Sequence, residues 1–168
     1  MRHMTGSEGS LFRGARVGLA LAMFVAEFIF IDGCTQASRV ESAPVGSPPA
    51  YVLGTFIDDY GGHHTISATQ WRQGDEDRYH IVRWNADGHY LIAENESGSS
   101  PASLGEWTRI DWIRLDGMPP YTWAFCFSAY QMRTAAAAES SMVAKADTPR
   151  NGCNGYPFTR MRVVSDRQ

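Results

Sequence analysis

The sequence predicts a mainly β domain built as an antiparallel meander, and three observations lead there. Short runs of alternating apolar and polar residues are separated by Gly, Pro, Asn and Asp, the pattern of strands joined by tight turns. Successive runs lie close enough to pair as hairpins. Only one segment, toward the C-terminus, carries helical spacing. The expected fold is a sheet of six or seven strands, curled into a small barrel or left half-open, with one C-terminal helix.

At 168 residues, 43% hydrophobic and 12% aromatic, the chain can bury the core of one domain. A net charge of -3 with a single lysine, Lys145, offers no clustered basic face for nucleic acid.

The domain is expected at 51–168, after two segments that do not join its core. Residues 1–33 read as a signal peptide: Arg2, Arg13 and Arg16 precede the apolar run Val17–Ile31, and Asp32-Gly33-Cys34 follow. The run falls short of the roughly 20 apolar residues of a spanning helix and contains Glu27. The ending Ile31-Asp32-Gly33-Cys34 resembles a bacterial lipobox, which implies that Cys34 is lipidated and begins the mature protein. Asp32 and Glu27 depart from the usual small or apolar residues there. Plain secretion after a nearby small residue, or retention as an uncleaved anchor, are the alternatives. Residues 34–50, rich in Ser, Ala and Pro, then read as a flexible tether. The resemblance implies a lipid-anchored place in the cell envelope, at the outer membrane where the cell has one; the alternative is a secreted or periplasmic protein.

Tyr51–Tyr60 and His63–Ser67 flank Gly61-Gly62, whose freedom to take positive φ suits a hairpin turn. Ala68–Asp77 is a mostly polar connection, although Trp71 within it must bury somewhere. Arg78–Trp84 and His89–Glu94 flank the turn Asn85–Gly88, and Glu96–Gly105 is a loop. Trp107–Leu115, the turn Asp116–Pro120 and Tyr121–Ser128 form the hub of the domain. In its second strand Tyr121, Trp123, Phe125 and Phe127 share one side, facing the core. Thr122, Ala124, Cys126 and Ser128 share the other, where an alanine-rich helix over Gln131–Ala146 is expected to pack. Asp147–Gly155 is a loop and Phe158–Val164 a final strand. In its hairpin succession, and in Gly54-Thr55-Phe56, the stretch Tyr51–Val164 resembles lipocalin-like and avidin-like small β-barrels, though it lacks the tryptophan that lipocalins place near the first strand. The resemblance concerns architecture and implies no function.

With Cys34 acylated, Cys126 and Cys153 remain as a pair in an oxidising compartment, and a disulfide between them is expected.

Two sets of residues could carry chemistry. Asp58, Asp59, His63 and His64 crowd one hairpin and could hold a metal or act as acid and base. Neighbours on a strand point to opposite faces, so one Asp and one His at most share a side, and a polar turn is the plainer explanation. Arg109 and Asp111 lie in an apolar strand on the side of Trp107, with Trp112 on the other. They are either a paired surface ladder, which is favoured, or a polar patch in a ligand pocket. His80 and His89 could face each other across their hairpin. No nucleophile elbow, phosphate loop, zinc spacing or dinucleotide fingerprint is present, and no cofactor is expected.

Three functions follow. The first is a non-enzymatic, lipid-anchored envelope protein binding a small ligand or an envelope component. The second is a structural or protein-interaction module using exposed aromatics such as Trp71. The third, least favoured, is a metal-dependent or acid/base hydrolase built on the Asp58–His64 hairpin. A hollow polar interior would favour the ligand; an interior filled by aromatic rings would reject it.

Overall fold

The computed structural model describes residues 42–97 and 104–164. The expected signal peptide and the expected lipidation at Cys34 lie outside the described residues. The domain is a closed antiparallel barrel of eight strands in meander order. They are β1 (Gly54–Asp58), β2 (His63–Ile66), β3 (Gln70–Gln73), β4 (Asp77–Asn85), β5 (Tyr90–Ser97), β6 (Trp107–Arg114), β7 (Trp123–Met132) and β8 (Thr159–Val163). Pairing of β1 with β8, Phe56 opposite Val163 and Asp58 opposite Met161, closes the wall. Closure leaves no half-open edge.

The strand beyond the six or seven expected is β3, inside the supposed polar connection. It offers one apolar side chain in four residues, Trp71, too few to register as alternation. Its backbone is nonetheless fully enlisted, pairing Trp71 with Ile66 on one side and with Tyr79 on the other.

β3 is also shorter than β4, so beyond Ile81 one edge of β4 has no β3 partner. Val45 covers it: the Val45 amide donates to the Val82 carbonyl and the Trp84 amide to the Val45 carbonyl, at 2.9 and 2.7 Å. Unpaired strand edges invite wrong pairing, and this bridge shields one. Gly46 follows with φ 82°, and a Cβ there would run into the Trp84 carbonyl oxygen. The docked chain thus begins before the expected boundary at Tyr51.

The interior is a packed core. Phe56, Ile66, Trp71, Ile81, Trp84, Leu91, Ile110, Trp112, Trp123, Phe125 and Met161 are all buried in it. Trp123, Phe125 and Phe127 face inward as expected, whereas Tyr121, expected beside them, precedes β7 and lies under the Arg160 guanidinium. Outward positions of β2–β4 are polar, among them His63, Thr65, Arg72, Arg78 and His80. That is the reverse of a membrane-spanning barrel, whose apolar side chains face outward.

A second, smaller core lies outside the wall. Ile113, Ala124, Cys126 and Phe158 pack there with Leu115, Ala144 and Cys153. The expected helix over Gln131–Ala146 is only α1 (Ala135–Glu139). β7 runs on to Met132, and Gln131 takes φ 57°, which no helix admits. Thr134 caps the start by accepting from the Ala137 amide. Ser140 and Ser141 end it, their hydroxyls donating back to the Ala137 and Ala138 carbonyls. The small-residue face of β7 is therefore covered largely by the loop after α1.

That loop is fastened by the Cys126–Cys153 disulfide, with Cα atoms 5.4 Å apart and a sequence separation of 27. Removing it by Cys126→Ala with Cys153→Ala should cost roughly 3 kcal/mol, through the chain entropy regained on unfolding. Urea unfolding of the double variant checks this, and an unchanged midpoint would contradict it.

Candidate functional site

The Asp58 hairpin places its four polar residues in three different settings. Asp58 and His64 point inward, since Phe56 and Asp58 share a face of β1, and His64 lies opposite Phe56. Asp59 turns outward to Arg160, accepting from its side-chain Nε at 2.8 Å and from its amide at 3.1 Å. His63 is exposed on the outer wall. Two of the four residues meet. Among the described residues no group of three or more His, Cys, Asp or Glu could hold a metal ion.

Asp58 and His64 form a chain with Trp71. His64 Nε2 lies 2.9 Å from Asp58 Oδ2, and Trp71 Nε1 donates to His64 Nδ1 at 3.1 Å. An indole nitrogen only donates, so Nδ1 must be the unprotonated nitrogen and Nε2–H must face the carboxylate. The other carboxylate oxygen accepts from the Tyr60 and Gly62 amides at 2.9 and 2.7 Å, which also shapes the turn. Glycine at 62 is required, since a Cβ there would come within 2.6 Å of the carboxylate. Burial pushes the Asp58 carboxyl up, but the bonds from His64, Gly62 and Tyr60 outweigh it and hold it below its ordinary value. Burial lowers His64 more than Asp58 raises it, so the imidazole stays neutral.

An Asp–His pair is half of a general-base system, but here both ring nitrogens are occupied by protein partners. No lone pair or proton is left to offer a substrate. The cluster is a buried polar tie linking β1, β2 and β3.

The second candidate set divides between the faces of β6. Trp112 is inside, donating from Nε1 to the Tyr51 hydroxyl at 3.0 Å and packing 5.7 Å from the Trp84 ring. Arg109 and Asp111 are on the outer face, yet 4% exposed each, because α1 lies over them. Neither expected setting, exposed ladder or interior pocket, describes them. Arg109 grips Asp111 with two hydrogen bonds, Nε to Oδ2 at 3.0 Å and Nη2 to Oδ1 at 2.9 Å. Its third, from Nη1 to the Glu139 carbonyl at 2.7 Å, reaches the end of α1. The guanidinium also stacks 3.9 Å above the Tyr90 ring, whose hydroxyl donates to the Glu139 carboxylate at 2.8 Å. Ser128 donates to Asp111. Trp107 sits at the start of β6, opposite Glu94 and Met132, and joins no site with Trp112.

Trp71 is 1% exposed and forms no surface patch. His80 lies opposite Glu94, and His89 occupies the β4–β5 turn with φ 54°, so the two do not pair across the hairpin. Among the described residues the exposed aromatics are instead Tyr60, Tyr130 and Tyr156.

Aromatic rings occupy the barrel. Trp71 lies 5.0 Å from Phe125 and 6.0 Å from Trp123, with Phe56 5.2 Å from Trp123 on the far side. A groove of about 640 Å³ lies on the outer wall, where β6, β7 and β8 meet the disulfide-bound loop. Ala124 forms part of its floor, and Tyr60, Met118 and Arg150 reach it from three separate turns. Sequence reasoning noted that the small face of this strand would admit a close neighbour. It could not show that the helix would leave Ala124 to a groove. Compared with models of known families, with curated proteins and with solved structures, the chain gives no match.

Proposed function

We propose that the chain is a non-enzymatic cell-envelope protein, lipid-anchored through Cys34, whose solid barrel serves as a rigid module for an envelope component. The filled interior carries this reading: aromatic rings take the space where a barrel of this size would hold a ligand, which shifts recognition to the outer wall. The occupied nitrogens of His64 support a non-catalytic role, because a hydrolase would need them free. The polar outward faces of β2–β4 suit a domain standing in water beside a membrane rather than within it.

Cells expressing the full chain should incorporate labelled palmitate into the protein, and a mature form beginning at Cys34 should fractionate with membranes. Cys34→Ser should lose the label and leave the membrane fraction. Absence of label in the native chain would reject the anchor. A native mass showing a small molecule retained by the purified barrel, insensitive to changes on its outer wall, would reject the module in favour of an interior-binding protein.

A further inference from the structure

The outer groove has the composition of a ligand site. Its body is apolar, with Ile113, Leu115, Met118, Pro157 and Phe158 on its walls and Ala124 at its base. Its volume, about 640 Å³, falls within the roughly 300–1,000 Å³ of small-molecule sites. It is also held in shape: Phe158 belongs to the outer core behind the Cys126–Cys153 disulfide, and its amide donates to the Pro149 carbonyl at 2.9 Å.

The charges around it are unequal. Asp59 is committed to Arg160 through both carboxylate oxygens, and the Arg160 guanidinium also lies 4.7 Å above the Tyr121 ring. Arg150, exposed at the groove, has no acidic partner among the described residues. One carboxylate against two guanidiniums leaves a single positive charge beside an apolar trough. We infer that the groove binds a long-chain aliphatic monocarboxylate, its alkyl body along the apolar walls and its carboxylate on Arg150. The inference rests on the proposed outer-wall recognition and gives it a ligand class.

A peptide is a poorer fit. It would bring a backbone donor and acceptor with every residue, and these need partners once dry. The groove has few to give, because both Asp59 carboxylate oxygens already accept from Arg160 and the strand at its base is paired there, Ala124 opposite Arg160. An aliphatic carboxylate asks for one polar partner only.

The test is calorimetric titration of laurate into the full chain carrying Cys34→Ser, so that no acyl chain of its own competes. One laurate should bind per chain, and dodecanol should bind about tenfold more weakly for want of the charge-assisted contact. Arg150→Glu and Met118→Asp, both at exposed positions, should each weaken laurate by about tenfold or more with an unchanged melting temperature. Several results would overturn the inference: no saturable binding, uptake of many laurates per chain, or binding to anionic phospholipid vesicles but not to free laurate. Tight binding indifferent to both substitutions would overturn it too, by placing the ligand away from this groove. Failure of the laurate titration alone leaves palmitate labelling at Cys34 to decide the envelope role separately.

Discussion

Replacing Asp111 with alanine is expected to cost about 3–5 kcal/mol of stability and to loosen α1 from the barrel wall. Among the described residues the carboxylate is the only acidic partner of a guanidinium that is 4% exposed and bonded to it twice. Without it a buried positive charge stands uncompensated, with only the Glu139 carbonyl and the Tyr90 ring beside it. The Ser128 hydroxyl loses its closest acceptor at the same time. Because Arg109 is also the link to α1, hydrogen exchange should quicken at Ala138 and Ser140, whose amides close the helix. The exposed Arg83–Glu139 pair, by contrast, should be worth under about 1 kcal/mol. Removing both charges, as Arg109→Met with Asp111→Leu, should cost much less than either single truncation, since no buried charge then remains. Urea unfolding of the single variants Arg109→Met and Asp111→Leu and of the double decides it. If the double variant loses the sum of the singles, the pair is not acting as one unit.

Much of the barrel was legible because strand alternation and turn chemistry are local. Trp123, Phe125 and Phe127 face inward as their spacing requires, and the Asn85–Gly88 turn closes with the Asn85 side chain accepting from the Gly88 amide at 2.7 Å. The Cys126–Cys153 disulfide followed from counting cysteines. Illegibility began where tertiary partners decide. β3 is a strand because β2 and β4 flank it, not because Gln70–Gln73 prefer extended backbone. The alanine run promised a long helix by propensity, but Thr134 and the two serines bounded it to one turn and a half. Arg109 and Asp111 were visible as charges in an apolar strand. What covers them comes from residue 139, thirty positions onward, and no spacing rule reaches so far. The groove was harder still, since its walls come from three strand connections brought together only by closure of the barrel.

His64→Leu should be as damaging as the loss of Asp111, about 3–5 kcal/mol, because it strands two buried polar groups at once. Asp58 would lose its imidazole partner and Trp71 its acceptor, both within the aromatic core. The native protein should also lose stability in mild acid. The unfolded chain takes up a proton on His64 near its ordinary value of 6.5, whereas the folded chain resists until lower pH. Stability is therefore full above that value and falls by about 1 kcal/mol for each pH unit below it, until the folded imidazole also titrates. The resistance has a geometric origin besides burial: a protonated ring would point Nδ1–H at the Trp71 N–H, two donors facing each other. Asp58 extends the acid loss into a lower window. Its folded carboxyl is held below 3.8, so its contribution stands above that value and disappears as pH falls through the folded one. Tyr79 acts at the opposite end: burial, then the Asp77 charge, raises its hydroxyl to about 12, so stability should fall as pH climbs from 10 toward that value. Trp71→Phe separates the geometric cause from burial. It removes the opposing N–H, letting His64 charge beside Asp58, and should flatten the loss between pH 7.5 and 5.5 while costing about 1–3 kcal/mol at the upper pH. Urea unfolding of both variants at the two pH values makes the comparison. If Trp71→Phe keeps the native slope, the facing donors do not hold His64 neutral.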